Sequence, residues 1–315
     1  MRGGINTTPR NELEHAYSSM LLVSLFASSA LLFASASVLR APRTSGVHLA
    51  VSPQCGTLAS GVPADVNVGL KPLKEYKNIV AFGDSYTGGS TNGPTWVQNL
   101  ATSAGATLIN YAATGAVVDV DQWPEVPAVQ AHTSVDFINQ ANGLMYGSQQ
   151  KLDPSTTLYV IFLGIGDYAE AVATNSTTSS LNQIAGVLLY TLLGLVSSPV
   201  SFANDILLID NYGLGLTSPL GDTFKTYLFE ALGTGRRSYG WNVGFASLNS
   251  IWEGVLYDGA TGYEAFGYTS PGVCDESCAE PGSTFYWTAG NPSAATHAIM
   301  AEYVEEVLTQ CQSST

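Results

Sequence analysis

At 315 residues, with 45% hydrophobic and only 11% charged side chains, the chain has ample material for a buried core and suits one large domain or two small ones. Eleven basic residues against 25 acidic ones give a formal charge of −14, which argues against nucleic acid or an anionic membrane surface as a partner. That acidity reads as the solubility device of a secreted protein.

The first element is a targeting signal. Leu21 to Phe33 is an unbroken run of apolar and small residues, followed by Ala34-Ser35-Ala36, which fits the core and cleavage site of a signal peptide over residues 1–36. The run is shorter than the about 20 residues of a comfortable span. Its leader mixes Arg2 and Arg10 with Glu12 and Glu14, and translation from Met20 would give a more ordinary signal. A signal anchor is the alternative. Cleavage near Ser37 predicts a secreted mature chain without a stable membrane span.

Residues 37–77 are mixed and proline-containing and predict a segment that wraps the fold. Four apolar runs then predict buried strands: Asn78 to Phe82, Thr107 to Tyr111, Leu158 to Leu163 and Asp205 to Ile209. Their separation by longer helical stretches predicts parallel strands joined by crossover helices. Ile184 to Val196 is apolar nearly all round and predicts a buried helix, being too short to span a bilayer. Pro292 to Gln310 carries Ile299, Met300, Val304, Val307 and Leu308 at helical spacing, with Glu302, Glu305 and Glu306 on the other side; it predicts an amphipathic terminal helix with Pro292 in its first turn. No repeat or linker divides the chain, so 78–311 is expected as a single domain, acting as a monomer.

Four cysteines suit an oxidising compartment. Cys274 and Cys278 are close enough to staple one loop, while Cys55 and Cys311 sit near the two ends and are candidates to fasten them. Metal binding at Cys274 and Cys278 is the competing reading, weakened because no histidine lies near; no metal and no cofactor is expected. Asn175-Ser176-Thr177 is an N-glycosylation acceptor in a Thr/Ser-rich stretch, whereas Pro292 excludes Asn291.

In open parallel sheets ligands bind beyond the carboxyl ends of the strands, so the loops after the first three strands carry the chemistry. Gly83-Asp84-Ser85-Tyr86 follows the first strand directly. A serine on a tight strand-to-helix turn exposes its hydroxyl and offers its own N–H to a developing oxyanion. Ile79 to Tyr86 resembles the first block of the GDSL, or SGNH, hydrolases, in particular the fungal acetyl esterases of carbohydrate esterase family sixteen. Asn110-Tyr111-Ala112-Ala113-Thr114-Gly115-Ala116 resembles their second block, Leu163 to Asp167 their third, and Phe285 to His297 their last. Four blocks in family order imply an α/β single-domain flavodoxin-like SGNH hydrolase fold, a parallel sheet flanked by helices. They also imply Ser85 as nucleophile, with the N–H groups of Ser85 and Gly115 as oxyanion donors.

The resemblance breaks at three positions. Gly166 stands where the family has an asparagine oxyanion donor, Thr288 where it has the acid, and Asn291 where it has the basic histidine. An amide cannot take the serine's proton at neutral pH. Losing the base of a triad costs on the order of 10⁶ in turnover, and losing an oxyanion donor roughly 10² to 10³. His297 and His132 are the candidate replacement bases. His297 lies six residues past Asn291, on another helix face, and a packing or capping role is its bland reading; for His132 it is a surface position. His15 and His48 fall outside the candidate site, and Asp84 and Asp167 are expected to brace loops. Two readings remain open: an esterase of small O-acyl or acetyl groups on carbohydrate or secondary-metabolite esters, with impaired catalysis, and a non-catalytic pseudoenzyme that binds a glycan or acylated small molecule in the same cleft.

Overall fold

The computed structural model describes residues 46–89, 91–123, 136–147, 151–257, 261–274, 278 and 280–313. The expected signal segment 1–36 and His132 lie outside them. The described residues fall in one unit.

A six-stranded sheet forms the centre: β1 (Val66–Val68), β2 (Asn78–Gly83), β3 (Thr107–Asn110), β4 (Thr157–Phe162), β5 (Asp205–Asp210) and β6 (Asn242–Ser247), ordered β1-β6-β5-β4-β2-β3. β2 to β6 run parallel, and β1 closes one edge antiparallel to β6. Successive side chains on a strand face opposite sides, and both sides are covered here, which is why the central strands read as continuous apolar runs. Val80, Phe82, Ile161 and Leu208 pack into one core with α3 (Phe137–Gly147), α5 (Thr178–Ser197) and α6 (Pro219–Tyr239). Ile79, Ala81, Val160 and Ile209 pack into the other with α2 (Trp96–Ala104), α7 (Asn249–Leu256) and α8 (Ala294–Gln310). The short α1 (Ser85–Gly88) and α4 (Ile165–Ala173) follow β2 and β4 directly. This is the expected α/β layering, with a mostly parallel sheet between helices.

Several expectations need correction. The sheet begins at Val66, inside the segment read as a wrapping arm: a three-residue strand is too short to show a period, and its Asn67 is polar because it pairs with the Leu308 carbonyl at 2.8 Å. β6 escaped notice because Gly244 interrupts its apolar run; a Cβ there would crowd Leu70 and Leu207 at 2.6 and 2.9 Å. The helix expected over Ile184 to Val196 runs from Thr178 to Ser197, long and apolar enough by composition to cross a membrane. It is not buried all round. Leu181, Ile184, Leu188, Leu192 and Leu195 form its core stripe, while Tyr190 is 78% exposed. Pro292 lies in a strand, not in the terminal helix, which starts at Ala294 after the N-cap Ser293.

A second sheet holds β7 (Ser270–Val273), β8 (Thr284–Thr288) and β9 (Asn291–Pro292). Both cysteine pairs are bonded. Cys274–Cys278 closes a separation of 4 residues and Cys55–Cys311 one of 256. Because a cross-link restricts the unfolded chain more the longer the loop it closes, the double variant Cys55→Ala/Cys311→Ala is expected to lose about 2 to 5 kcal/mol in urea unfolding. The variant Cys274→Ala/Cys278→Ala should lose clearly less, and equal losses would show that local packing, not loop closure, sets the effect.

Candidate active site

Consecutive strands lie beside each other at β2 and β3, but β4 returns to the other side of β2. Such a reversal opens a crevice at the carboxyl ends, and β2 delivers Ser85 to it. The strand ends without a side chain. A Cβ on Gly83 would sit 2.8 Å from both the Phe162 carbonyl oxygen and Thr87 Oγ1. Gln140 of α3 pairs with both backbone groups of Gly83: Gly83 N–H donates to its Oε1 and its Nε2 donates to the Gly83 carbonyl, each at 2.9 Å. Asp84 then caps α1, accepting the Tyr86 N–H at 2.9 Å.

The loop after β3 is tied to this turn. Ala113 N–H donates to the Gly83 carbonyl at 3.0 Å, and Asn110 Nδ2 donates to the Thr87 carbonyl at 2.9 Å. Gly115, at φ 76°, occupies the left-handed region that glycine tolerates. Neither its N–H nor that of Ser85 has a hydrogen-bond acceptor among the described residues, so both are free to donate to a ligand oxygen. Asp167 of α4 anchors the continuation of the loop by accepting from Val118 N–H at 3.1 Å and Trp123 Nε1–H at 2.9 Å. Gly166 faces the same loop, since a Cβ there would lie 3.1 Å from Val117 Cγ1.

The opposite wall is the β8–β9 hairpin. Thr288 and Asn291 are paired residues flanking the two-residue turn Ala289-Gly290, where Gly290 has φ 76°. Asn291 Nδ2 donates to Thr288 Oγ1 at 2.9 Å. β9 packs against α1, so Asn291 is brought to the Ser85 side of the sheet. Ser85 Oγ has no hydrogen-bond partner among the described residues.

His297 does not join this group by any bond. Its Nδ1 accepts the Trp96 N–H at the start of α2 at 3.1 Å, and its Nε2 is buried without a partner. Burial pushes the imidazole down to about 4, so it is neutral at ordinary pH. The Cys274–Cys278 bond closes the end of β7, and Asn175 is exposed between α4 and α5. Among the described residues no group of three or more His, Cys, Asp and Glu side chains is placed to hold a metal.

Two residues that order the site carried no obvious signature. Gln140 sits on the apolar stripe of α3 with Phe137, Ala141 and Leu144, and a lone amide on a buried face was its signal. Asn92 accepts the Ala294 N–H at 2.7 Å, fastening the loop after α1 to the start of α8.

The GDSL-like lipase/acylhydrolase family model matches residues 79–304, well over half the chain, and the chain belongs to that family. Comparison with proteins of curated function finds no match. Solved structures similar to it include a member of the lipolytic G-D-S-L family from Veillonella parvula, with 14% identity, TM-score 0.42, and 74% of this chain and 98% of that one covered. The acetylxylan esterase Axe2 from Geobacillus stearothermophilus matches at 16% identity and TM-score 0.42, covering 76% and 97%. Phospholipase A1 from Streptomyces albidoflavus matches at 14% and 0.37, covering 73% and 98%.

Burial raises the Asp84 carboxyl to about 7, helped by the nearby Asp167 charge, and raises Asp167 to about 6. The unfolded chain ionises both near the ordinary carboxylate value, so between there and about 7 the folded state holds protons that the unfolded state has released. Stability from these groups is therefore greatest below the ordinary carboxylate range and declines as pH rises through 6 and 7. Asp84→Asn keeps the cap and removes the charge. Its melting temperature should exceed that of the parent at pH about 8 by several degrees, the gap closing toward pH about 4; a pH-independent difference would refute this assignment.

Proposed function

We propose that this chain is a secreted GDSL-type esterase with impaired catalysis, directed at small O-acyl groups, acetyl first among them, on carbohydrate or secondary-metabolite hydroxyls. The observation that carries the reading is the Ser85 turn. A serine hydroxyl and two unengaged N–H groups stand at the crevice of a parallel sheet, the arrangement that acyl transfer needs for attack and for oxyanion binding. Ser85 would attack the ester carbonyl, and the N–H groups of Ser85 and Gly115 would receive the oxyanion.

The impairment is supported by the hairpin. Its register sets positions 288 and 291 side by side, as a carboxylate and an imidazole would need to be, yet the pair is a hydroxyl and an amide. Neither takes a proton from Ser85 at neutral pH. On the third side Gly166 offers no side-chain donor. Secretion is supported by the two disulfides and by the apolar segment Leu21 to Phe33, and glycosylation at Asn175 by its exposure.

The pseudoenzyme reading is favoured by one specific observation: Ser85 Oγ has no described partner that would activate it. In that case the same cleft binds a glycan or an acylated small molecule without turnover. A fluorophosphonate probe separates the two. Labelling of the folded protein that disappears in Ser85→Ala supports the esterase, and no Ser85-dependent labelling ends it.

The triple variant Asn291→His/Thr288→Asp/Gly166→Asn is expected to raise hydrolysis of a p-nitrophenyl acetate probe by several decades over the parent. A parent that already matches the variant would overturn the assignment of Asn291 to the base position.

A further inference from the structure

A second site lies at the other end of the same sheet edge. β6 ends at Ser247, three strand spacings from β2, roughly 14 Å. There a cavity of ≈340 Å³ opens between β6, the start of α7 and the segment around Gln54. A neighbouring cavity of ≈380 Å³ shares Gln54, Ser250 and Glu253 with it, so the two lie side by side along those residues. Each volume falls in the range of ligand sites.

The walls are held rigidly. Buried Asp65 accepts from Gln54 N–H at 2.7 Å, Ser247 N–H at 2.8 Å and Tyr303 O–H at 2.6 Å. Cys55–Cys311 bonds the Gln54 side to the end of α8. At the floor, Lys225 Nζ donates to Ser247 Oγ at 2.6 Å and pairs with buried Asp210 at 3.4 Å. A short serine–lysine contact invites a nucleophilic reading, but a lysine activates a serine only as the free amine. Here it is ion-paired, so it serves as a donor.

Charge and hydrogen-bonding capacity select the ligand. Asp65, Asp210 and Glu253 outnumber Lys225, which disfavours anions. Asp65 is already engaged by three donors and Asp210 by Lys225, so the buried carboxylates here are committed to the fold. What remains is mixed. Asn249 accepts the Gly215 N–H at 3.0 Å and keeps its two amide donors, while the side chains of Gln54 and Glu253 have no described partner. Interleaved donors and acceptors along a rigid, mostly polar groove suit a ligand whose every hydroxyl both donates and accepts. We propose that this groove is a binding site for a neutral linear oligosaccharide, distinct from the Ser85 cleft.

The test is isothermal titration calorimetry on the full protein with xylopentaose, cellopentaose and chitopentaose, and with oligogalacturonate as an anionic control. At least one neutral pentasaccharide should bind saturably, oligogalacturonate should not, and Ser85→Ala should bind as the parent does. The exposed-side variants Gln54→Ala and Glu253→Gln, which leave the buried Asp65 and Asp210 contacts intact, should each weaken binding by about three- to tenfold, the loss expected for one hydrogen bond. Lys225→Met should weaken it further, its folding checked by circular dichroism. Absence of binding by all three neutral sugars would overturn the proposal. So would binding that Gln54→Ala and Glu253→Gln leave unchanged, or preference for the anionic sugar. Because the pentasaccharides carry no ester and the expected losses fall at Gln54 and Glu253, failure here leaves the esterase reading standing, and loss of Ser85-dependent labelling leaves this one standing.

Discussion

The Ser85 turn depends on how β2 ends. A parallel strand must stop there, reverse into a helix, and leave its last peptide groups satisfied although they are buried. Gly83 makes the reversal sterically possible, because the Phe162 carbonyl and Thr87 fill the space a side chain would need. Gln140 makes it energetically possible by pairing with the N–H and carbonyl together. An unsatisfied buried peptide group would cost about 1 to 3 kcal/mol. With that end fixed, the Ala112–Gly115 loop hangs from the same carbonyl, and the unengaged N–H groups of Ser85 and Gly115 stand on the two segments it joins.

A second layer of constraint comes from two desolvated carboxylates. Asp84 and Asp167 form the frame behind the turn, one capping α1 and the other holding the loop from Val118 to Trp123. Their acceptor roles are local, yet burial raises the cost of ionising each of them, and the Asp167 charge adds to that of Asp84. The expected bracing roles are thus combined with an electrostatic coupling that the linear order of residues, with 84 and 167 far apart, does not display.

The legible part of the fold was its apolar part. β2, β4 and β5 announced themselves because burial on two faces removes polar residues from the run, and the stripe of α8 because burial on one face imposes a period; β3, expected as a buried strand, lies at the sheet edge with Thr107 and Asn110 exposed and only Leu108 and Ile109 partly covered. β1 and β6 were illegible for opposite reasons: one is too short to have a period, and the other carries a glycine for packing where a pattern asks for an apolar side chain. At the site, the family blocks single out Ser85, Gly115, Gly166, Thr288 and Asn291 as candidates, and the hairpin register gives the Thr288–Asn291 contact its physical cause. The bonds that Gln140 and Asn92 make were not readable, although the lone amide of Gln140 on an apolar face hinted at a buried partner. Each residue acts on a partner distant in the chain, 57 residues for Gln140 and 202 for Asn92, and such a bond leaves no local trace of which partner it takes.

The Cys55–Cys311 bond also changes what a break in the backbone means. Most of the described chain lies between its two sulfurs. A protease that nicks an exposed connection, such as the one around Asn175 between α4 and α5, therefore cannot release a fragment. It converts a single polypeptide into two chains that remain one covalent molecule, with both cores and the sheet still in register. Against a protease, survival is then decided by the second cut.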